Sequence, residues 1–138
     1  MLEVKEQTTL IGSLQKWTDK EEIEDYNCEN CMKKVRSITK RTYLYELPEI
    51  VILNLQRIIF DTKRGEKIKV HSRLEFPMEL DLKEFTKNDE IEETNYRLKG
   101  VVIHTGTSEG GHYYSLSHNA NMESIGSFLS AIRQSYLH

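Results

Sequence analysis

Val101-Val102-Ile103-His104-Thr105-Gly106-Thr107-Ser108-Glu109-Gly110-Gly111-His112-Tyr113-Tyr114-Ser115 reads as a strand, a glycine-rich turn and a second strand that opens on a histidine. The β-branched run 101–103 and the pair Tyr113-Tyr114 have the composition of strands, and the glycines between them mark a turn. An imidazole has an ordinary pKa of about 6.5, so one held at the start of a rigid strand can move protons at neutral pH. His112 therefore has two readings: a strand-end histidine satisfied by backbone hydrogen bonds, or a proton-transfer group. The glycines weight the second, because Gly110 and Gly111 let another backbone come close, and a lid over 105–111 beside a histidine would admit an extended peptide. His104, at the other strand's end, reads as surface or structural. The stretch carries no evident nucleophile.

Working outward, strands dominate. Residues 96–103 and 112–116 are strands, and so is the Thr- and Tyr-containing stretch 33–47, which lacks helical periodicity. The run Ile50-Val51-Ile52-Leu53-Asn54-Leu55 is apolar at nearly every position, which predicts a strand buried on both faces, with Pro48 at its start. Thr62-Lys63-Arg64-Gly65 predicts the turn of a hairpin joining Ile58-Ile59-Phe60 to 68–76, and Pro77 then stops regular pairing. Leu80 to Leu82 and Phe85 continue as short extended or turn structure toward a polar loop at 87–95.

Two helices frame the strands. Leu10, Leu14 and Trp17 line one face of a helix over 10–17 that Thr8 or Thr9 caps. Met122, Ile125, Phe128, Leu129 and Ile132 predict an amphipathic helix over 122–134. The acidic run 19–25 reads as a solvated connector.

The 138 residues, 38% hydrophobic, suffice for one modest core. A net charge of −3 gives no attraction to nucleic acid or anionic lipid, so neither is an expected partner. No run resembles a signal peptide or approaches the roughly 20 apolar residues of a membrane span, and a soluble, intracellular protein is expected. Only two cysteines occur, Cys28 and Cys31. Their spacing lets both thiolates reach one zinc ion from a tight turn, with Lys33 and Lys34 beside them favouring deprotonation. A structural zinc takes four protein ligands, and no second pair stands at ribbon spacing. A redox pair, and two turn cysteines with no ligand, are the other readings.

In combination these segments resemble the ubiquitin-specific proteases, a family of papain-like cysteine deubiquitinases. The resemblance rests on Tyr26 to Cys31, Leu47 to Arg57, Phe76 to Leu82, and Gly100 through Gly111 to Ser115, in the family's order. It implies an α+β fold that is mainly antiparallel β: the palm sheet plus part of the fingers, with a short N-terminal helix and a C-terminal helix. Residues 1–118 would be the C-terminal half of the catalytic domain, with a zinc-ribbon half-site at 26–34 and palm strands over 35–118. Residues 119–138 would be a divergent helical tail.

Carried over by position, the resemblance implies that His112 is the general base and that Cys28 and Cys31 are the second pair of the ribbon. Thr105, Gly106, Gly110, Gly111 and Tyr113 would lie against ubiquitin's C-terminal tail, and Phe76-Pro77 near the other substrate loop. No cofactor is implied for catalysis, and a structural zinc only where the ribbon's upstream cysteine pair is supplied.

The family's nucleophilic cysteine lies in an N-terminal box that this sequence does not contain. For the third catalytic member only Asn119 and Asn121 are available, of which Asn119 is the candidate. The expected function is therefore a cysteine-type deubiquitinase present as a portion inactive alone, with ubiquitin and ubiquitinated proteins as partners, in the cytoplasm, the nucleus or both. The alternatives are a non-catalytic ubiquitin-binding module and a structural piece with an exposed sheet edge.

Overall fold

The computed structural model describes residues 1–117. In chain order its elements are β1 (Leu2–Glu3), α1 (Leu10–Thr18), β2 (Glu21–Cys28), β3 (Lys33–Lys40), β4 (Leu55–Gln56), β5 (Ile58–Asp61), β6 (Glu66–Lys69), β7 (Glu79–Asp81), a 3-10 turn (Lys83–Phe85), β8 (Asn95–Arg97), β9 (Gly100–Gly106) and β10 (Gly111–Ser117). The tail helix expected over 122–134 and Asn119 lie outside the described residues.

Helix α1 starts where local chemistry directs. Thr9 is extended, and its hydroxyl accepts the Gly12 N–H at 3.0 Å, satisfying one of the otherwise orphaned donors of the first turn. The Leu10 N–H donates to the Glu75 carbonyl at 2.7 Å, and the Glu75 N–H to Thr8 at 2.8 Å, so the helix start is tied to a distant segment. At the other end Thr18 returns its hydroxyl to Leu14 and Gln15, both at 3.1 Å. Leu14 faces the core, which is built from Leu2, Leu14, Leu82 and Phe85, with Leu10, Trp17, Leu53, Leu55, Leu80 and Tyr96 packed around it. Burying each such leucine or phenylalanine contributes about 1.5–3 kcal/mol.

The strands form five two-stranded ladders, not one continuous sheet. β1 pairs in parallel with β4; β2 with β3, β5 with β6, β7 with β8, and β9 with β10 are antiparallel. The turn after β5 is an Asx turn: Asp61 Oδ1 accepts the Lys63 N–H at 2.9 Å, and Gly65 supplies a φ of 69°. No helix among the described residues is long and apolar enough to cross a membrane.

Of the stretch 33–47 only Lys33–Lys40 is strand, of 68–76 only Ile68 and Lys69 belong to β6, and 96–103 is divided between β8 and β9. Two further expectations fail outright. The run 50–55 is not a strand buried on both faces: only Leu55 enters a ladder, Val51, Leu53 and Leu55 pack on the core, and Ile50 and Ile52 are 78% and 80% exposed. With a core on one side only, extended backbone sends alternate side chains outward whatever their polarity. The acidic run 19–25 is not a connector, since Glu21 onward is β2. Its strand faces the basic strand β3 so that Glu21 opposes Lys40, and their side chains meet at 3.3 Å; Asp25 meets Lys34 at 3.0 Å. Opposite charges across a ladder stabilise it modestly. No residue of either strand is buried, so the hairpin is an arm that lies outside the core.

Candidate active-site hairpin

The histidine stretch forms the hairpin β9–β10 in the register the glycines require. His112 lies opposite Thr105, Tyr113 opposite His104, and Gly111 opposite Gly106. A Cβ on Gly111 would run into the Thr105 carbonyl oxygen and come within 2.6 Å of His104 Nε2. Gly106 has a φ of 113°, and a Cβ there would stand 2.5 Å from the Gly110 carbonyl. These glycines let the strands close completely at the end that carries His112. Gly110 meets no such demand: a Cβ there would have nothing within 4 Å.

The expected lid over 105–111 is shorter and more constrained than the glycine content implied. Thr105, Gly106 and Gly111 belong to the strands, leaving 107–110 as the turn. Within it the Thr107 N–H donates to the Gly110 carbonyl at 2.9 Å, and the Glu109 N–H to Thr107 Oγ1 at 3.2 Å. Ser108 reaches across to donate its hydroxyl to the Lys67 carbonyl on β6 at 2.8 Å. From the same strand, the Lys69 ammonium donates to the carbonyls of His104 and Gly106, both at 2.9 Å. Sequence reasoning missed Lys69 and Ser108; nothing in a lone strand lysine or a turn serine announces a partner more than thirty residues away.

His112 is exposed, with its carbonyl accepting the Thr105 hydroxyl at 3.3 Å. Strand alternation puts Thr105, Ile103, Tyr114 and Leu116 on its face and sends Tyr113 to the opposite one. There the Tyr113 ring meets that of His104 at a 40° tilt, centroids 4.6 Å apart, which fits the structural reading of His104. Of the residues expected at the substrate tail, Thr105, Gly106, Gly110, Gly111 and Tyr113 thus share one hairpin, but Tyr113 does not share a face with His112. A concave site of about 330 Å³ beside α1, lined by Ile11, Pro77, Leu80 and Phe85 among others, does not include His112.

Cys28 and Cys31 occupy another element, the tip of the β2–β3 arm, where Cys28 opposes Lys33. The Cys31 N–H, then its thiol, and the Asn30 N–H hydrogen-bond the Cys28 sulfur and hold that thiol below its ordinary range. Main-chain donors aimed at a sulfur suit a metal-bound thiolate. The fit is partial: among the described residues no group of three or more His, Cys, Asp or Glu could hold an ion, so the pair offers two of the four ligands a structural zinc takes.

The mainly antiparallel ladders with one short helix match solved deubiquitinase domains. The chain is 26% identical to a chain in the SAGA Ubp8/Sgf11/Sus1/Sgf73 DUB module bound to ubiquitin aldehyde, with a TM-score of 0.72 over 87% of this chain and 28% of that one. A form of that module bound to monoubiquitin gives 27% identity and a TM-score of 0.74 over 87% of this chain and 27% of that one. The fold is therefore that of part of a papain-like ubiquitin-specific protease domain.

Residues 3–129 match the family described as "Ubiquitin carboxyl-terminal hydrolase". Curated relatives include ubiquitin carboxyl-terminal hydrolase 9Y of Mus musculus, 31% identical over 142 aligned positions that cover 83% of this chain and 6% of that protein. Ubiquitin carboxyl-terminal hydrolase 5 of Schizosaccharomyces pombe is 34% identical over 118 positions, covering 83% of this chain and 11% of that one. The chain belongs to the ubiquitin carboxyl-terminal hydrolase family. It spans about a quarter of the solved chains it matches and a smaller share of these curated relatives.

Proposed function

We propose that the chain supplies the histidine wall of a deubiquitinase active site, with His112 as general base and acid and the nucleophilic cysteine provided by another segment. The observation that carries this reading is the closed register at the mouth of the hairpin: Gly111 lies flush against Thr105, which leaves the adjacent His112 exposed on a rigid strand. Together with family membership, that placement supports one half of a thiolate–imidazolium pair.

In the assembled site the thiolate attacks the carbonyl of ubiquitin's final glycine, and the C–N bond to the substrate lysine breaks as the imidazolium gives its proton to the leaving amine. The imidazole then takes a proton from water, whose oxygen displaces the thiolate and releases the ubiquitin carboxylate. Loss of a protease nucleophile costs roughly a millionfold in turnover, so the isolated chain is inactive. Thr105, on the face of His112, and Gly110 in the turn would lie against the ubiquitin tail, while Gly106 and Gly111 would let the strands close behind them. Cys28 and Cys31 would complete a structural zinc site with an upstream cysteine pair.

A ubiquitin-based covalent probe tests the proposal. The chain is incubated with the probe alone, and again with a separately supplied upstream segment of a family member that carries the nucleophilic cysteine. Labelling is expected only on the supplied segment, only when this chain is present, and not with His112→Ala. Labelling of Cys28 or Cys31 in the isolated chain would place the nucleophile on the β2–β3 arm and overturn the assignment. If ubiquitin's tail amides shift on titration with the chain while no combination labels, the chain is a ubiquitin-binding module instead.

A further inference from the structure

Thr105 turns its carbonyl toward β10, since that oxygen is what a Cβ on Gly111 would strike. In an antiparallel ladder the carbonyls of the residues on either side, His104 and Gly106, then point to the outer edge of β9. At that edge no further strand is paired among the described residues. The Lys69 ammonium takes both of these carbonyls at once, each at 2.9 Å. It brackets Thr105, the residue that carries His112 in register, and Ser108 ties the turn to Lys67 two residues earlier on the same strand.

We infer that Lys69 is a positioning residue for His112: by clamping the carbonyls of His104 and Gly106 it fixes the strand against which His112 is registered, and it closes the outer edge of β9 to an incoming peptide. The inference rests on the reading of His112 as the general base. A charge-assisted hydrogen bond is stronger than a neutral one, and two from one ammonium restrain the β9 edge more than a single bond could. An extended ubiquitin tail is thereby denied main-chain pairing with the outer edge of β9 and is left the turn and the His112 face.

Two measurements on the chain and its variants test this. The first is amide hydrogen exchange over 104–113 with the His112 imidazole resonances, followed by NMR. Lys69→Met keeps the aliphatic stem and removes the donors; exchange in the hairpin should rise about tenfold and the His112 ring signals should move, while α1 keeps its protection. Lys69→Arg, which retains paired donors, should restore both. Ser108→Ala should loosen the turn alone; Lys69→Gln, which cannot supply the charged paired donors, is the second variant should Lys69→Met fail to fold, and unchanged exchange in it would likewise overturn the inference.

The second is the pH dependence of probe labelling in the reconstituted pair. Lys69→Met should slow labelling about tenfold and displace the pH of half-maximal rate, with rescue by Lys69→Arg. Unchanged exchange and ring signals in folded Lys69→Met would overturn the inference even in an active assembly. Full labelling with His112→Ala would overturn the general-base reading while leaving the clamp intact, so the two failures are distinguishable.

Discussion

Replacing Gly111 by alanine should be among the most damaging small changes available on this surface. The new Cβ would enter the Thr105 carbonyl oxygen and sit 2.6 Å from His104 Nε2. The carbonyl belongs to a strand whose flanking carbonyls are clamped by Lys69, so this obstacle does not yield easily, whereas the His104 ring can turn aside. Overpacking against fixed groups costs about 1–3 kcal/mol, and a collision with backbone belongs at the upper end. A second route gives a similar figure: parting the strands at Gly106–Gly111 and Thr105–His112 forfeits a few ladder hydrogen bonds at about 0.5–1.5 kcal/mol each.

With a urea m-value of about 1–3 kcal/mol per molar, a loss near 3 kcal/mol lowers the unfolding midpoint by about 1–3 M. Gly110→Ala is the control one residue away. A Cβ there has open space, Gly110 is not in the left-handed region, and the loss of unfolded-chain freedom should stabilise by about 0.4–1 kcal/mol. Urea titration followed by tyrosine near-ultraviolet dichroism reads both. Coincident midpoints for the two variants would refute the close approach of Gly111 to Thr105, and with it the rigid placement of His112.

Other outcomes follow from single contacts. Thr9→Ala removes the hydroxyl that accepts the Gly12 N–H and should cost about 1 kcal/mol in thermal or urea unfolding. Leu82→Ala, at a fully buried core position, should cost about 2–5 kcal/mol by the same measurement. The Thr94 hydroxyl, then the Lys83 N–H, hold the Asp81 carboxyl below its ordinary value of 3.8, so the folded state keeps this group ionised where the unfolded state would protonate it. Its contribution is fully present above pH 3.8 and is lost as pH falls through the lower folded value; Asp81→Asn should flatten the acid limb of a stability–pH curve below about pH 4. Alkylation of Cys28 should reach half its limiting rate below the ordinary thiol pKa, and urea unfolding of the chain should raise that midpoint, because the main-chain donors from Cys31 and Asn30 are lost.

What was legible in the sequence is what local chemistry determines. Thr8 or Thr9 with Leu10, Leu14 and Trp17 specify a capped helix within ten residues, and Thr62 to Gly65 specify a turn within four, so both elements could be read without knowing their partners. The hairpin carrying His112 was legible for the same reason, but its lid was overdrawn. Glycine content alone does not say which glycine is needed for closure, as at Gly106 and Gly111, and which lies in open space, as at Gly110. Lys69 was invisible because its role exists only once β6 and β9 are neighbours.

The two misread runs fail in opposite directions and share a cause. The apolar run 50–55 suggested burial on both faces, yet Ile50 and Ile52 lie bare while Val51 and Leu53 are packed; the acidic run suggested a free connector, yet from Glu21 it is a strand. In each case composition was taken as a property of the segment, when what decides is the surface opposite. A segment with one packed partner buries one face, however apolar the other. Carboxylates do not prevent a strand when cations stand across the ladder: Glu21 opposes Lys40 and meets its ammonium, and Asp25 reaches Lys34. Weighing the acidic run together with the basic stretch 33–40, instead of charge density alone, points to that hairpin and puts Cys28 and Cys31 at its tip.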